Sequence, residues 1–307
     1  MGRSDLNDSQ MAAEAPPVIV VLGMHRSGTS LVTRSLATMG VRLGDRLLAP
    51  LENVNPKGFW EDRDIQGLNQ EMLTALDGDW FHVLPFSVTD LKRLRKDGFV
   101  ERASALLEQK VSEDDRPFGF KDPRLPKLLP FWNDIFKQIG REVRYVLAVR
   151  NPLSVAESLL RRDGFIKQHS HFLWIENVLS SLSCSAGARR VLVDYDLLMQ
   201  ESEVQTRRIA ERLGLTPDEK LLRDFVSDFI DADMQHTRFS LDDLDDDLLA
   251  PPLVKEVYSS LIGVAQDKVS LDDLSERLTK WSRDFEGQYY LLSVIDQLLK
   301  YRAEAEF

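Results

Sequence analysis

Two rhythms of apolar positions run along the chain. Val18-Ile19-Val20-Val21-Leu22 is an unbroken apolar run ending at Gly23. A run so short and continuous predicts a strand buried on both faces. Leu31, Val32, Leu36 and Met39 then recur at helical spacing, with Gly40 as the stop, which predicts a helix. Phe118-Gly119-Phe120 reads as a short strand, 143–149 as a second strong one, and Val191-Leu192-Val193-Asp194 as another. Helices are predicted over about 63–76 (Ile65, Leu68, Met72, Leu73, Leu76), roughly 89–110, and through Leu128, Leu129, Trp132, Ile135, Phe136 and Ile139. Others start at Asn151-Pro152, where an N-cap side chain precedes a first-turn proline, and lie around 172–183. Thr216-Pro217-Asp218-Glu219 opens a further helix, its acids at the positive end of the dipole. After about 250 everything reads helical: 252–262, 270–280 and 283–302.

The segment 23–30 joins the first strand to the first helix, and its glycines give it chemistry. Backbone N–H groups in such a loop turn inward on an anion, and the helix N-terminus adds partial positive charge. Gly23 and Gly28 have the spacing of an ATP-binding loop, but Thr29 stands where an ATPase carries lysine, and the cation is Arg26, inside the loop. An arginine there suits a short anion with two charged groups, held without metal. Strands alternating with helices then predict an α/β fold, a P-loop-type parallel sheet covered by helices on both faces. Residues 250–307 would form a helical C-terminal appendage. Ligands in such sheets sit beyond the carboxyl ends of the strands, where the loops 23–30, 121–124 and 150–151 would open together.

Residues 1–16 are polar and end beside Pro16-Pro17; they predict a mobile tail. Residues 17–307 read as a single domain, for no shift of composition divides them. Residues 41–62 lack periodicity and carry Pro50, Pro56 and Gly58. They predict a long loop, of a length that is usually functional or disordered.

A second anion site is suggested at Arg150, which follows an apolar strand directly. Asn151, Ser154, Val155 and Ser158 share one helix face by their spacing. Arginine can hold a phosphate with two parallel hydrogen bonds, and serine adds a neutral donor. The bland alternative is a surface arginine paired with Glu157 or Asp163.

Charge and composition narrow the partners. Of 307 residues, 43% are hydrophobic and 29% charged, as in a soluble globular protein, and the net charge is −11. Extended nucleic acid and anionic membrane are poor partners for such a surface, whereas a local cationic pocket for a small anion remains open. Cys184 is alone, which excludes an internal disulfide and a cysteine metal cluster. No apolar run approaches a membrane span, and residues 1–17 lack a signal-peptide core. A cytoplasmic setting is the expectation.

With these motifs in place, the chain resembles the sulfotransferases that use 3′-phosphoadenylyl sulfate (PAPS), in their bacterial, carbohydrate-type branch. Gly23–Ser30 is similar to the family's 5′-phosphosulfate loop, and Arg150-Asn151-Pro152 through Ser158 to its 3′-phosphate motif. Phe120-Lys121-Asp122-Pro123-Arg124-Leu125, Gly58-Phe59-Trp60-Glu61-Asp62 and Tyr195-Asp196-Leu197-Leu198 resemble further motifs, and Phe229–Arg238 vaguely a later one. The motifs span roughly 18–240. Two features depart: the loop cation is often lysine in the family and is Arg26 here, and the glycine-rich C-terminal segment of the animal cytosolic enzymes is missing.

The resemblance implies transfer of a sulfuryl group from PAPS to a hydroxyl or amine, with a small-molecule or glycan acceptor and no metal. Charge builds on the bridging oxygen as the S–O bond breaks, and one fixed donor there is typically worth on the order of 3 kcal/mol. Arg26 and the N–H groups of Ser27, Gly28, Thr29 and Ser30 are the candidates, with Arg150 and Ser158 for the 3′-phosphate. Glu61 is the candidate base, its pKa raised by burial beside Phe59 and Trp60; alternatively Glu61 and Asp62 cap the next helix. His25 is a second candidate base or a plain loop side chain. Lys121 and Arg124 grip sulfate or form structural ion pairs, and Lys121 enters the candidate catalytic set. His236 and Arg238 are weaker pocket candidates. Trp60, Trp80 and Phe81 offer faces for a sugar or simply fill the core. Asp242, Asp243, Asp245, Asp246 and Asp247 lack the glycine and final glutamate of a calcium loop and read as solvated. Two rival readings stay open: a P-loop kinase or NTPase with Asp194 holding Mg²⁺, and a nucleotide-binding module without chemistry.

Overall fold

The computed structural model describes residues 15–52, 55, 57–229 and 238–305. The expected tail up to residue 14, Pro56 and His236 lie outside them. Four strands, β1 (Val18–Leu22), β2 (Phe118–Lys121), β3 (Val143–Val149) and β4 (Arg189–Asp194), form one parallel sheet in the order β2-β1-β3-β4. Val20 lies opposite Phe120 on one side and Tyr145 on the other, and Val149 lies opposite Asp194. This register brings the carboxyl ends Leu22, Lys121, Val149 and Asp194 to one edge.

Successive residues of β1 point to opposite faces, and both faces are covered. Val18, Val20 and Leu22 join the larger core, whereas Ile19 and Val21 join the smaller one. The smaller core is built by α1 (Thr29–Leu36) and α9 (Ser202–Leu213). The larger is built chiefly by α2 (Arg63–Ala75), α4 (Phe99–Val111), α5 (Leu125–Gln138), α6 (Pro152–Asp163) and α7 (Lys167–Cys184). Three helices follow Ala250: α12 (Pro252–Ala265), α13 (Ser275–Glu286) and α14 (Tyr289–Ala305). They join the larger core through Val254, Val257, Leu261, Trp281, Phe285 and Leu292. The short helices α8 (Tyr195–Gln200), α10 (Glu219–Asp224) and α11 (Leu241–Asp246) complete the chain. No helix among the described residues is long and apolar enough to cross a membrane.

Three expectations change in detail. The helix expected over 89–110 is two, α3 (Val88–Lys96) and α4, because Gly98 takes a left-handed φ of 79° and turns the chain. The helix around 172–183 extends back to Lys167; His169, Ser170 and His171 are buried there, and polar letters hid that turn from an apolar count. The described residues of the stretch 41–62 are held at both of its ends. Arg42 N–H donates to Pro117 O at 2.9 Å and Arg42 O accepts from Gly119 N–H at 2.8 Å, so the chain runs beside β2. It returns antiparallel, with Leu48 N–H donating to Glu61 O at 2.9 Å, and delivers Glu61 to the sheet edge.

Candidate active site

A cavity of about 730 Å³ lies beyond the carboxyl edge of β1, β2 and β3. The loop after β1 supplies His25, Arg26, Gly28, Thr29 and Ser30 to its wall. Gly28 has φ 79°, and a Cβ there would stand 2.1 Å from the Tyr195 ring. Only glycine permits this approach of backbone to ring. Ser27 is buried, and its N–H donates to Met24 O at 3.2 Å; it closes the loop and lies outside the wall. Ser30 Oγ donates to Phe59 O and accepts from Asn55 Nδ2, both at 3.1 Å. The loop is thereby fastened to the 41–62 stretch.

β3 delivers Arg150. Its guanidinium lies over the Tyr195 ring at 4.4 Å, and Nη1 donates to Arg26 O at 3.4 Å. Glu157 and Asp163, its alternative partners by sequence, bind Arg161 and Arg162 instead. Asn151 caps α6 by accepting from Leu153 N–H at 2.9 Å. Two turns on, Ser158 Oγ accepts from Arg26 Nε at 2.8 Å. The loop cation and the serine of the second motif therefore share one spot.

β2 delivers Lys121, whose Nζ donates to Glu61 Oε1 at 2.7 Å, with both side chains buried. Burial pushes the Glu61 carboxyl up from its ordinary pKa, against the opposing pull of Lys121. Glu61 and its neighbour divide the work: Asp62 caps α2 through Asp64 and Ile65 N–H groups and pairs with Lys110 at 2.9 Å. Asp122 binds Asn69 Nδ2 and Arg124 Nη1, each at 2.9 Å, which points Arg124 into the wall. His25 rests on Trp80 with ring centroids 4.3 Å apart. Burial and the cations Arg162, Arg124, Lys121 and Arg26 hold its pKa well below the usual imidazole range, so it is neutral at pH 7.

The wall carries seven cations, Arg26, Lys57, Lys121, Arg124, Arg150, Arg161 and Arg162, against Glu52 and Glu61. In a chain of net charge −11 this is a local concentration of positive charge fit for a polyanion. Arg26, Gly28, Thr29, Ser30, Glu61, Lys121, Arg150 and Ser158 line it, whereas Ser27 and Arg238 do not. Sequence reasoning missed Arg161 and Arg162 as wall residues, although they stand three and four positions after Ser158, on its helix face. It also gave Tyr195 no part in the site. Of the aromatic candidates, Trp80 stacks on Phe165 and meets His25 at a tilt, and Phe81 meets Trp80 edge-on. Trp60 instead packs on the smaller core beside Arg34.

Asp194 does not face this cavity. It caps α8 by accepting from Leu197 N–H at 3.0 Å and accepts from Tyr258 OH at 3.1 Å. With Arg238 it lines a separate space of about 360 Å³. In the acidic run, Asp243 caps α11 with Ser240, and Asp247 pairs with Lys167. No group of three or more His, Cys, Asp or Glu among the described residues could hold a metal ion.

Three solved structures stand beside this geometry. The sulfotransferase domain of the Synechococcus PCC 7002 olefin synthase is 21% identical over 81% of this chain and 96% of its own, with a TM-score of 0.45. Sulfotransferase STF1 from Mycobacterium tuberculosis H37Rv is 14% identical over 80% and 77%, with a TM-score of 0.41. A retinol dehydratase, solved with androsterone and the inactive cofactor PAP, is 13% identical over 88% and 82%, with a TM-score of 0.32. Two of the three are sulfotransferases by name. No family model matches the sequence, and no curated protein matches it.

Proposed function

We propose that this protein is a PAPS-dependent sulfotransferase acting on a hydroxyl, or an amine, of a carbohydrate or glycoconjugate. The observation that carries the reading is the meeting of two anion motifs in one cavity, with Arg26 of the loop bonded to Ser158 of the helix. The donor set fits a molecule charged at both ends: a guanidinium and a hydroxyl at one place, the loop guanidinium, backbone N–H groups and hydroxyls at the other. Arg150 and Ser158 hold the 3′-phosphate, and Arg26, bonded to Ser158, belongs to the 5′ loop. Gly28, Thr29 and Ser30 hold the 5′ end, and Ser27 keeps their turn closed. PAPS supplies the sulfuryl group and leaves as adenosine 3′,5′-bisphosphate.

The chain's own cations do what a metal does in kinases. Lys121 and Arg26 stabilise negative charge on the leaving side, in a buried setting where such donors are strong. Glu61 takes the proton of the acceptor. Burial makes it a better base than an exposed carboxylate, and its bond to Lys121 fixes its orientation. The Arg–Lys wall and the −11 net charge support a small anionic donor rather than nucleic acid. Residues 17–307 are read as one domain, and the lone Cys184 suits the reducing cytoplasm.

Calorimetry with adenosine 3′,5′-bisphosphate and with ATP, each in EDTA and in Mg²⁺, tests the reading. Metal-independent binding of the bisphosphate is expected. Binding of ATP alone, and only with Mg²⁺, would move the protein to the kinases.

A further inference from the structure

We propose that the outer face of α14 is a self-association surface, through which two copies of this chain pair as an antiparallel helix dimer. This does not depend on the reaction proposed above. α14 is apolar on two sides. Its inner side carries Leu292 and the half-buried Ile295, packed on the larger core, and Asp296, which accepts from Val83 N–H at 2.8 Å and Leu84 N–H at 3.0 Å. Its outer side carries Tyr290, Leu291, Val294, Leu298 and Tyr301, exposed by 83, 50, 36, 62 and 67%. At 100° per residue these five fall within about a 100° arc, turned away from the inner side. A helix apolar all round is normally covered all round.

The spacing names the occupant. Leu291, Val294, Leu298 and Tyr301 follow the three-four-three rhythm of a coiled-coil seam. Such a seam complements itself. Two copies about a twofold axis oppose Leu291 with Tyr301 and Val294 with Leu298, and their helix dipoles run head to tail. Charge agrees. Between Gln288 and Leu299 the sole charged residue is Asp296, and it points inward. An uncharged stripe lets two chains of net charge −11 meet without repulsion. The five side chains expose on the order of 500 Å², more than half of the roughly 800 Å² per partner that a stable dimer buries. Ser293, Gln297 and Lys300 at the rim supply more.

Sedimentation equilibrium of the full chain tests this. The wild type is expected at twice its 35.1 kDa. Leu298→Glu is expected to return it to the monomer, weakening association roughly tenfold or more, with an unchanged far-ultraviolet circular dichroism spectrum. Val294→Lys is the second variant, should the first disturb the helix. A wild type that stays monomeric across the accessible concentrations would overturn the proposal. So would a dimer indifferent to both substitutions. Co-flotation of the wild type with phosphatidylcholine vesicles, lost in Leu298→Glu, would assign the stripe to a membrane instead.

Discussion

Arg26 Nε and Ser158 Oγ are 2.8 Å apart, although 132 positions separate them in the chain. The bond ties the loop after β1 to the second turn of α6, so the two residues should act as a unit. Removing the arginine is expected to cost about 2–3 kcal/mol of adenosine 3′,5′-bisphosphate binding, and removing the serine about 1 kcal/mol. The Arg26→Ala, Ser158→Ala double variant should lose less than the sum, because each single change already breaks the shared contact. Calorimetry on the four proteins measures this. Strict additivity would mean that the pair does not cooperate on the ligand.

Arg150 is aimed by three contacts. Its backbone carbonyl accepts from Trp174 Nε1 at 3.0 Å, its guanidinium lies on Tyr195, and Nη1 reaches Arg26 O. A charge held this firmly discriminates between ligands that differ by one phosphate. Arg150→Ala is expected to weaken adenosine 3′,5′-bisphosphate by about 2–3 kcal/mol and adenosine 5′-monophosphate by little. Equal losses for both nucleotides would take Arg150 out of the 3′ role.

Glu61 and Lys121 give a pH signature. The base works as the carboxylate, and burial raises its pKa above the ordinary glutamate value. Turnover should therefore fall as pH descends through that raised value, at a pH where an exposed glutamate is still ionised. Glu61→Gln is expected to lower turnover by about 10²–10⁴-fold, flatten the acid limb and leave bisphosphate affinity intact. Lys121→Met removes the cation that opposes the shift, so the acid limb should move to higher pH. A pH–rate profile that keeps its acid limb in Glu61→Gln would assign the base elsewhere.

The sheet and the segments that bring Arg26 and Arg150 to the cavity were legible in the sequence because their signals are local. An apolar run, a glycine pair and an arginine at a strand end each read within a dozen residues. The partners were not legible. Lys121 stands beside Asp122, yet it pairs with Glu61, 60 positions away, because Leu47 and Leu48 pair antiparallel with Asp62 and Glu61 and bring the carboxylate back to the sheet edge. In the sequence Gly28 is a loop glycine that lets backbone N–H groups turn inward on an anion. Its full reason is the Tyr195 ring against it, which only the β4 register reveals. The first turn of α7 is invisible to an apolar count because His169, Ser170 and His171 are polar residues in buried positions. What the sequence withheld was tertiary pairing of polar groups, and the site is made of just that.

Two buried groups outside the site pull stability in opposite directions between about pH 4 and 6. Burial pushes the Asp194 carboxyl up to about 6 in the folded chain, against about 3.9 unfolded. The folded state thus binds this proton more tightly. Its stabilising share is full below about pH 4 and lost as pH rises to 6, roughly 3 kcal/mol in all. His171 is the reverse. Burial lowers it to about 4, against about 6.5 unfolded, and neither ring nitrogen finds a hydrogen-bond partner among the described residues. Its share is full above about pH 6.5 and lost as pH falls to 4, again roughly 3 kcal/mol. Asp194→Asn keeps the oxygen that caps α8 and removes the charge, so stability relative to wild type should climb as pH rises through the window. His171→Phe, which forfeits no hydrogen bond, should show the opposite slope. Urea unfolding at a series of pH values reads both. Profiles parallel to the wild type in either variant would show that the group titrates alike in the folded and unfolded chain.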